Sequence, residues 1–508
     1  MIHDVRDAET SGSPHTDPIA SSRQVVGLLL ASIVAVTAAF ATLAPVVLVG
    51  DDALFAFPVL VHGALICAAI VCMLTMCTGL RVDSFMLFVA WETLRGCVAP
   101  VILMYVGPGT RFYYRLGTPS DSRTVLFIGS LFFAAVLATR VIVALFEQRR
   151  NSARRVAPDL SGSAFSSDRM TAGPLVLVGL VGLALRFPTP GAIQAFFSGS
   201  VEGLQGNGEF TGGPLLLAAN FLRPLLVIGL VMLIRTRRTQ GLRWWPLVPV
   251  TVVAVVLALA SYGLNRGTVA YCLIAIALVY FERSRRRLRL GTVVVVLGAL
   301  GAFFALVGQL RSTIWAARTG LGGTGLDPVS VLQSVLPYAA TPAQLSAAMP
   351  VVAQSNPFGW HTFVMSLLSP VPGAPEAART ESGTALFNNI VYHSFVGKDQ
   401  LLPTWFEGWL SFGLLGTIGV GVVVGVLLSL ADALRRSVHT QVGLYGATIF
   451  ALWVPQAGVT TISVIEQNTI YFALTPLVVA ALARVWPTGQ NEHRLPTRPR
   501  SGPRKATR

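Results

Sequence analysis

About twelve apolar stretches, each long enough to cross a bilayer, run through this chain with clusters of arginine between them. Few folds accommodate that pattern. No backbone N–H or C=O can be left unpaired in hydrocarbon, so stretches of this length and composition have to be helices. They lie at roughly 25–50, 55–78, 83–106, 124–146, 173–188, 214–234, 245–263, 267–282, 290–310, 406–430, 441–460 and 468–485.

The arginines supply the orientation. Arg149, Arg150, Arg154 and Arg155 share one connection, and Arg235, Arg237, Arg238 and Arg243 another. Arg283, Arg285, Arg286, Arg287 and Arg289 form a third, Arg435 and Arg436 a fourth, and the tail from Arg484 to Arg508 the fifth. With these on the cytoplasmic side, successive stretches alternate in direction and both termini are cytoplasmic. The expected fold is an all-α polytopic integral membrane protein. It has about 12 transmembrane helices and one large extracytoplasmic loop between spans 9 and 10.

The expected parts are a cytoplasmic N-terminal segment (1–24), spans 1–9 (25–310), the large loop (311–405), spans 10–12 (406–485) and a basic cytoplasmic tail (486–508). The connection with Arg111, Arg115 and Arg123 runs against the rule. The stretch 189–213, with Glu202 and Glu209 and no lysine or arginine, follows it. Residues 1–24 are polar and do not read as a cleavable signal peptide.

Composition narrows the functional classes. Charged residues are 12% of the chain, about half the share of a soluble domain, and mean hydropathy is +0.65. The net charge of +15 sits mostly in cytoplasmic connections and tail. There it orients helices and meets anionic lipid, so it does not indicate nucleic acid. Cys67, Cys72, Cys77, Cys97 and Cys272 all fall in apolar stretches, which leaves the large loop without a disulfide. No His/Cys spacing suits zinc.

The loop is punctuated by Pro328, Pro337, Pro342, Pro350, Pro357, Pro370, Pro372 and Pro375, with apolar runs such as 329–336 and 363–368 between them. That pattern predicts short helices lying on the membrane surface or over a cavity. Long structured loops of this kind usually carry function.

Arg186, Arg223, Arg266, Arg311, Arg318 and Arg379 could converge on the outer half of the bundle. Guanidinium forks match phosphate oxygens and stay charged, so the natural ligand is a phosphate or pyrophosphate. A lipid-linked one is the simplest source at a membrane. Each arginine also has an ordinary role, as a snorkelling helix end or half of an intramembrane ion pair. Glu92 and Arg95, three residues apart, illustrate the second. Acid/base candidates are Glu407, His361 and His393, with Asp327, Glu376, Glu381 and Asp399 also in the loop. Glu407 reads equally as a cap of the helix that follows. Asp51-Asp52, just after the first stretch, is either a metal-binding pair or a helix cap.

Two segments carry a resemblance. One is Asn265-Arg266-Gly267, opening an apolar helix that ends in aromatics and a basic cluster. The other runs from Thr404 to Gly416, Thr-Trp-Phe-Glu-Gly-Trp-Leu-Ser-Phe-Gly-Leu-Leu-Gly, after the long loop. Both resemble the oligosaccharide repeat-unit polymerases, the O-antigen polymerase family. The layout of many spans and one large late loop is similar too. The resemblance implies transfer of a growing glycan from undecaprenyl pyrophosphate to a lipid-linked repeat unit, on the outer face of the bacterial cytoplasmic membrane.

It implies no metal or other cofactor, because arginines take over charge stabilisation of the leaving pyrophosphate. Arg266, Arg311, Arg318 and Arg223 would bind the pyrophosphate. Glu407, His393 or His361 would deprotonate the acceptor hydroxyl. Trp360, Trp405 and Trp409 would stack on sugars. Its partners would be polyprenyl-pyrophosphate-linked oligosaccharides and the lipid bilayer, with flippase and chain-length regulator proteins as candidates. Two other readings stand beside it: a flippase or transporter of lipid-linked oligosaccharides, and a glycosyltransferase using a polyprenyl-phosphate sugar at Asp51-Asp52.

Overall fold

The structure, a computed structural model, describes residues 62–63, 66, 69, 83–99, 118–153, 172–191, 214–259, 266–284, 342–350, 352, 358–371, 374–392, 402–438 and 440–485. These residues are 88% helical and contain no strand, which fits the helical solution to the backbone problem in lipid. The stretches expected at 25–50 and 290–310, and the first part of the large loop, lie outside the described residues.

Among the described residues, seven helices lie before residue 285. They are α1 (Ser84–Thr93, continued by a π-turn Leu94–Val98), α2 (Pro119–Ala153), α3 (Ala172–Arg186), α4 (Pro214–Leu222), α5 (Pro224–Thr239), α6 (Leu247–Leu259) and α7 (Arg266–Ser284). Short helices follow: α8 (Pro342–Leu345), α9 (Trp360–Leu368), α10 (Ala377–Thr380) and α11 (Gly383–Tyr392). The chain then forms α12 (Thr404–Ser437), α13 (Gln441–Trp453, ending in a 3-10 turn Val454–Gly458), α14 (Ile462–Asn468) and α15 (Thr475–Val485). A π-turn, Thr469–Leu474, joins the last two. Among the described residues, four segments are long and apolar enough to cross a membrane: Ser120–Glu147, Leu217–Arg238, Thr404–Ser437 and Ile462–Leu482. Helices α3 and α6 and the Val269–Val279 part of α7 are apolar but shorter.

Three pairs of helices show how close packing is reached. Gly421 and Gly425, one turn apart on α12, lie against Phe132, Ala135, Val136 and Thr139 of α2; a Cβ on either would sit 2.7 Å from a neighbouring carbon. Small residues at this spacing let helix backbones approach in lipid, where no hydrophobic force draws them together. Position numbers rise together along this contact, so α2 and α12 run parallel. Both end in arginines. At that end Arg436 meets Glu147, and Arg140 bridges Asp83 and Asp432 at 3.2 and 2.8 Å. Gly179, Gly182 and Gly229 join α3 to α5 antiparallel, and Gly443 and Gly446 join α13 to the segment starting at Ala473 in the same way.

Two of the expected continuous spans are broken. Pro224 cannot donate its backbone nitrogen, and the helix divides there into α4 and α5. Gly413 has φ +66° and ψ −152°, a conformation only glycine adopts readily, and it divides α12 into Thr404–Phe412 and a membrane-length remainder of about 36 Å. The two parts fold onto each other, with the backbone of Gly408 against Gly416 leaving no room for a Cβ on Gly416.

The short helices gather at one end. Helix α8 packs on the start of α2, where the Ser122 and Ser346 hydroxyls are 3.0 Å apart. Helices α9 and α11 pack over the start of α12 and over α14. This is the end opposite the arginine cluster of α2 and α12.

Candidate functional site

The first turns of α12 are fixed from outside the helix. Thr404 donates both its backbone N–H and its hydroxyl to the Thr460 carbonyl, at 3.0 and 2.9 Å. The Trp405 indole N–H donates to the Gly458 carbonyl at 3.0 Å. Phe406 stacks on Trp409 at 5.3 Å and meets Phe387 of α11 edge-on. The helix cap is Pro403, which offers no side-chain bond, so Glu407 is not acting as the cap of its own helix.

Glu407 is completely buried. Its Oε2 accepts from the Thr461 hydroxyl at 3.5 Å, and its Oε1 has no hydrogen-bond partner. Gly383, the first residue of α11, lies so close that a Cβ there would strike Oε1. Gly383 N–H donates to Ser366 Oγ at 2.8 Å, which places the Ser366 hydroxyl beside the same carboxylate. Thr384 Oγ1 donates to Thr461 Oγ1 at 3.1 Å. The carboxylate therefore sits where α9, α11, α12 and the turn before α14 meet, among hydroxyls from Ser366, Thr384 and Thr461. Glu466, on α14, lies within its electrostatic reach. A carboxylate held this way can accept a proton from a hydroxyl that reaches it. Among the described residues no opposite charge pairs with it.

On the other face of Trp405 is a sealed ion pair. Glu92 and Arg95 bind each other, both fully buried. The Arg95 guanidinium lies 4.7 Å over the Trp405 ring, and Phe132 stacks on that ring at 6.2 Å. Gly129 and Gly458 are bare because side chains there would meet Arg95 and Glu92. The aromatic ring screens a charge in an apolar setting by cation–π attraction.

The other expected site residues are spread. Trp405 is buried, with the Arg95 guanidinium over its ring and Phe132 stacked on it, and it lies between Glu407's helix and the ion pair. Trp409 is half-buried against Phe406. Trp360 is 70% exposed and leans on Phe412 beside the Gly413 break, so it alone of the three presents a free face. His361 is exposed at the start of α9, and its Nε2 lies 2.6 Å from Glu381 rather than at Glu407.

Arg223 is buried at the α4–α5 break, its backbone against Gly182. Arg186, one turn after Gly182 on α3, shares that end of the helix pair. Arg266 opens α7, its side chain outside the described residues, as is that of Arg379. Arg311, Arg318, His393 and Asp51-Asp52 lie outside the described residues. Among the described residues no group of three metal-ligating side chains converges. A cleft between α5, α7 and α13, lined by Met232, Arg235 and Tyr445, has about 30 Å³ of room, suited to one water and not to a sugar.

Ser366, Thr461 and Glu466 escape a reading of the sequence. The one signal was the polar run Glu466-Gln467-Asn468 interrupting an apolar segment. Compared with known proteins, the chain matches no family model, no curated protein and no solved structure.

Proposed function

We propose that this chain is a membrane glycosyltransferase that polymerises undecaprenyl-pyrophosphate-linked repeat units on the outer face of a bacterial cytoplasmic membrane. The observation that carries the proposal is Glu407. It is a buried carboxylate with one orphan oxygen, held under helices of the large loop at the start of a broken helix. Burying such a group without a counter-charge is costly, and ionisable groups in membrane segments mark sites of function.

The acceptor hydroxyl gives its proton to Glu407 as it attacks the anomeric carbon. The bond to pyrophosphate breaks, and the leaving charge is met by Arg266, Arg311 and Arg318, with Arg223 deeper in the bundle. Helix directions support the twelve-span arrangement with the loop outside. The parallel pair α2/α12 and the antiparallel pair α3/α5 are those that alternation from the arginine clusters requires.

A second reading, a transporter of lipid-linked oligosaccharide, draws on the helix breaks at Arg223-Pro224 and Gly413. Transporters build substrate sites from discontinuous helices. One experiment separates the two. Purified protein is reconstituted into vesicles with undecaprenyl-pyrophosphate oligosaccharide confined to the leaflet that the loop faces. A polymerase converts it into a ladder of lengthened glycans. Movement to the other leaflet without lengthening would leave the transporter.

A further inference from the structure

Helix α9 is built inside out. A helix on a water-facing surface turns its apolar stripe inward and its polar side chains to solvent. In α9 the buried positions are Thr362 and Ser366, one turn apart. Trp360 is 70% exposed, and Val364 and Leu367, on the same face as Trp360, are only partly covered. The polar face is satisfied within the protein: Ser366 Oγ donates to the Thr362 carbonyl at 3.1 Å and accepts from the Gly383 N–H at 2.8 Å. Residues 362–375 include no Asp, Glu, Lys, Arg or His. Charge returns at the margins, where exposed His361 and Glu381 lie 2.6 Å apart. The backbone is closed in the same way. Ser369, Val371 and Ala374 donate their N–H groups to the carbonyls of Met365, Leu368 and Val371, at 2.9, 2.9 and 3.1 Å. Pro370, Pro372 and Pro375 have no N–H to satisfy. Hydrocarbon demands such closure and water does not.

The neighbours of α9 place it beside membrane spans. Trp360 and Phe363 meet Phe412 at 5.7 and 5.3 Å, next to the Gly413 break. Ser366, further along α9, bonds Gly383, which lies against the Glu407 side chain. Gly408, the next residue, backs onto Gly416, inside the membrane-length remainder of α12. Helix α9 therefore runs from the break alongside that span, not above it. It also packs on α14, the start of the apolar segment Ile462–Leu482. Through Phe412 its outer face is continuous with Leu414, Leu415 and Ile418 of α12, of which Leu415 is 81% exposed.

We infer that α9 and the turn after it are immersed in the membrane leaflet at this end of the bundle, with the acyl chains of bilayer lipids against Trp360, Val364, Leu367 and Val371. Part of the loop expected to be extracytoplasmic is thus a re-entrant element. The nine residues of α9 rise about 14 Å, half of a hydrocarbon core of ~30 Å, so the helix dips into the bilayer and cannot cross it. Trp360, at the level of the break, stands where an indole settles at the headgroups. Lipid is the occupant because this face continues the outward side of α12, which a bilayer covers in any case. Helix α9 then forms the wall between lipid and the Glu407 carboxylate, with Ser366 on its inner side. The inference goes beyond the proposed glycosyl transfer and does not depend on it.

The test is collision spectroscopy of nitroxide labels on full-length protein without native cysteines, in lipid nanodiscs. Labels go on Val364→Cys, Leu367→Cys and Val371→Cys. Oxygen concentrates in hydrocarbon, and a nickel chelate stays in water. Leu415→Cys, on the span, and Thr380→Cys, at the exposed end of α10, supply the lipid and water references. The oxygen-to-nickel accessibility ratio at the three α9 positions is expected to approach that at Leu415 and to exceed that at Thr380 several-fold. Nickel access equal to that at Thr380 makes α9 a helix in water and overturns the inference. Low access to both reagents means that a second copy or another protein covers the face, and it overturns the inference too. Where a label disturbs folding, the native Trp360 serves. The fluorescence lost in Trp360→Phe is expected to be the part quenched by lipids brominated on their acyl chains and spared by aqueous iodide; the reverse overturns immersion. No arm reads polymer, so failure of the glycosyl-transfer proposal leaves these outcomes untouched.

Discussion

Replacing Glu407 with Gln separates chemistry from architecture, because the two predict opposite signs for stability. The wild-type carboxylate is fully buried, receives one long hydrogen bond from Thr461 and leaves Oε1 unpaired against Gly383. An unsatisfied buried polar atom costs about 1–3 kcal/mol, and more where the group is charged. Glutamine has the same shape and accepts from Thr461 equally well. It removes the charge and leaves at worst one orphan amide group in place of one orphan carboxylate oxygen. The variant is therefore expected to be as stable as the wild type or more so, by up to ~1–3 kcal/mol, and to unfold at the same temperature or higher. Activity should move the other way: loss of a general base lowers rate by roughly 10²–10⁴-fold. Two measurements suffice: the thermal unfolding midpoint in detergent, and glycan ladder length from lipid-linked repeat units. A lowered midpoint with a normal ladder would refute the reasoning. It would make Glu407 a structural residue and leave His393 and His361 as the next groups to change.

The remaining predictions address orientation, packing and charge. In a background without native cysteines, Thr380→Cys, at the exposed end of α10, is expected to react with an impermeant thiol reagent in intact cells. Ser284→Cys is not; the reverse pattern would invert the orientation. Ser382, two residues from Thr380, is buried and would give a false negative. Gly425→Ala puts a methyl 2.7 Å from Thr139 of α2 and is expected to cost about 1–3 kcal/mol of stability in a detergent melt. Gly419→Ala meets nothing within 4 Å and is expected to be neutral or slightly stabilising, so equal effects would remove the close-packing account. Arg266→Ala and Arg311→Ala are expected to abolish long glycan at normal protein level, with Arg→Lys restoring only part because an ammonium lacks the bidentate fork. Normal chain length in both Ala variants would leave them as helix-end anchors.

Helix existence was legible in the sequence because hydropathy sums over about twenty residues and survives local exceptions. The stretch read at 124–146 lies inside α2, and 173–188 and 267–282 match α3 and α7 within two residues at each end. The breaks were not legible. Leu-Ser-Phe-Gly-Leu-Leu-Gly scores as uninterrupted apolar helix, and nothing in composition says that Gly413 turns left-handed while Gly416 backs onto Gly408. The last stretch, read from 468, includes α14 from Ile462. Glu466, Gln467 and Asn468 lower the local hydropathy where the chain is already helical.

The site shows the same division. Glu407 was conspicuous because a carboxylate stands among Trp405, Phe406 and Trp409 in one short run. Its surroundings come from residues 20 to 60 positions away, and only three-dimensional register brings Ser366, Thr384 and Thr461 to it. The Gly413 break explains why this register is attainable. A straight α12 would point its first two turns away from the bundle. Folded back at Gly413, they lie with Trp405 against Arg95 and Phe132 on one side and Glu407 under Gly383 on the other. The glycines at 383, 408, 413 and 416 and the Glu92–Arg95 pair thus serve one end, holding a buried carboxylate that has no opposite charge among the described residues. Arrangements that oppose local stability in this way persist where the strain is used, and this is the physical ground on which the proposal of a base at Glu407 rests.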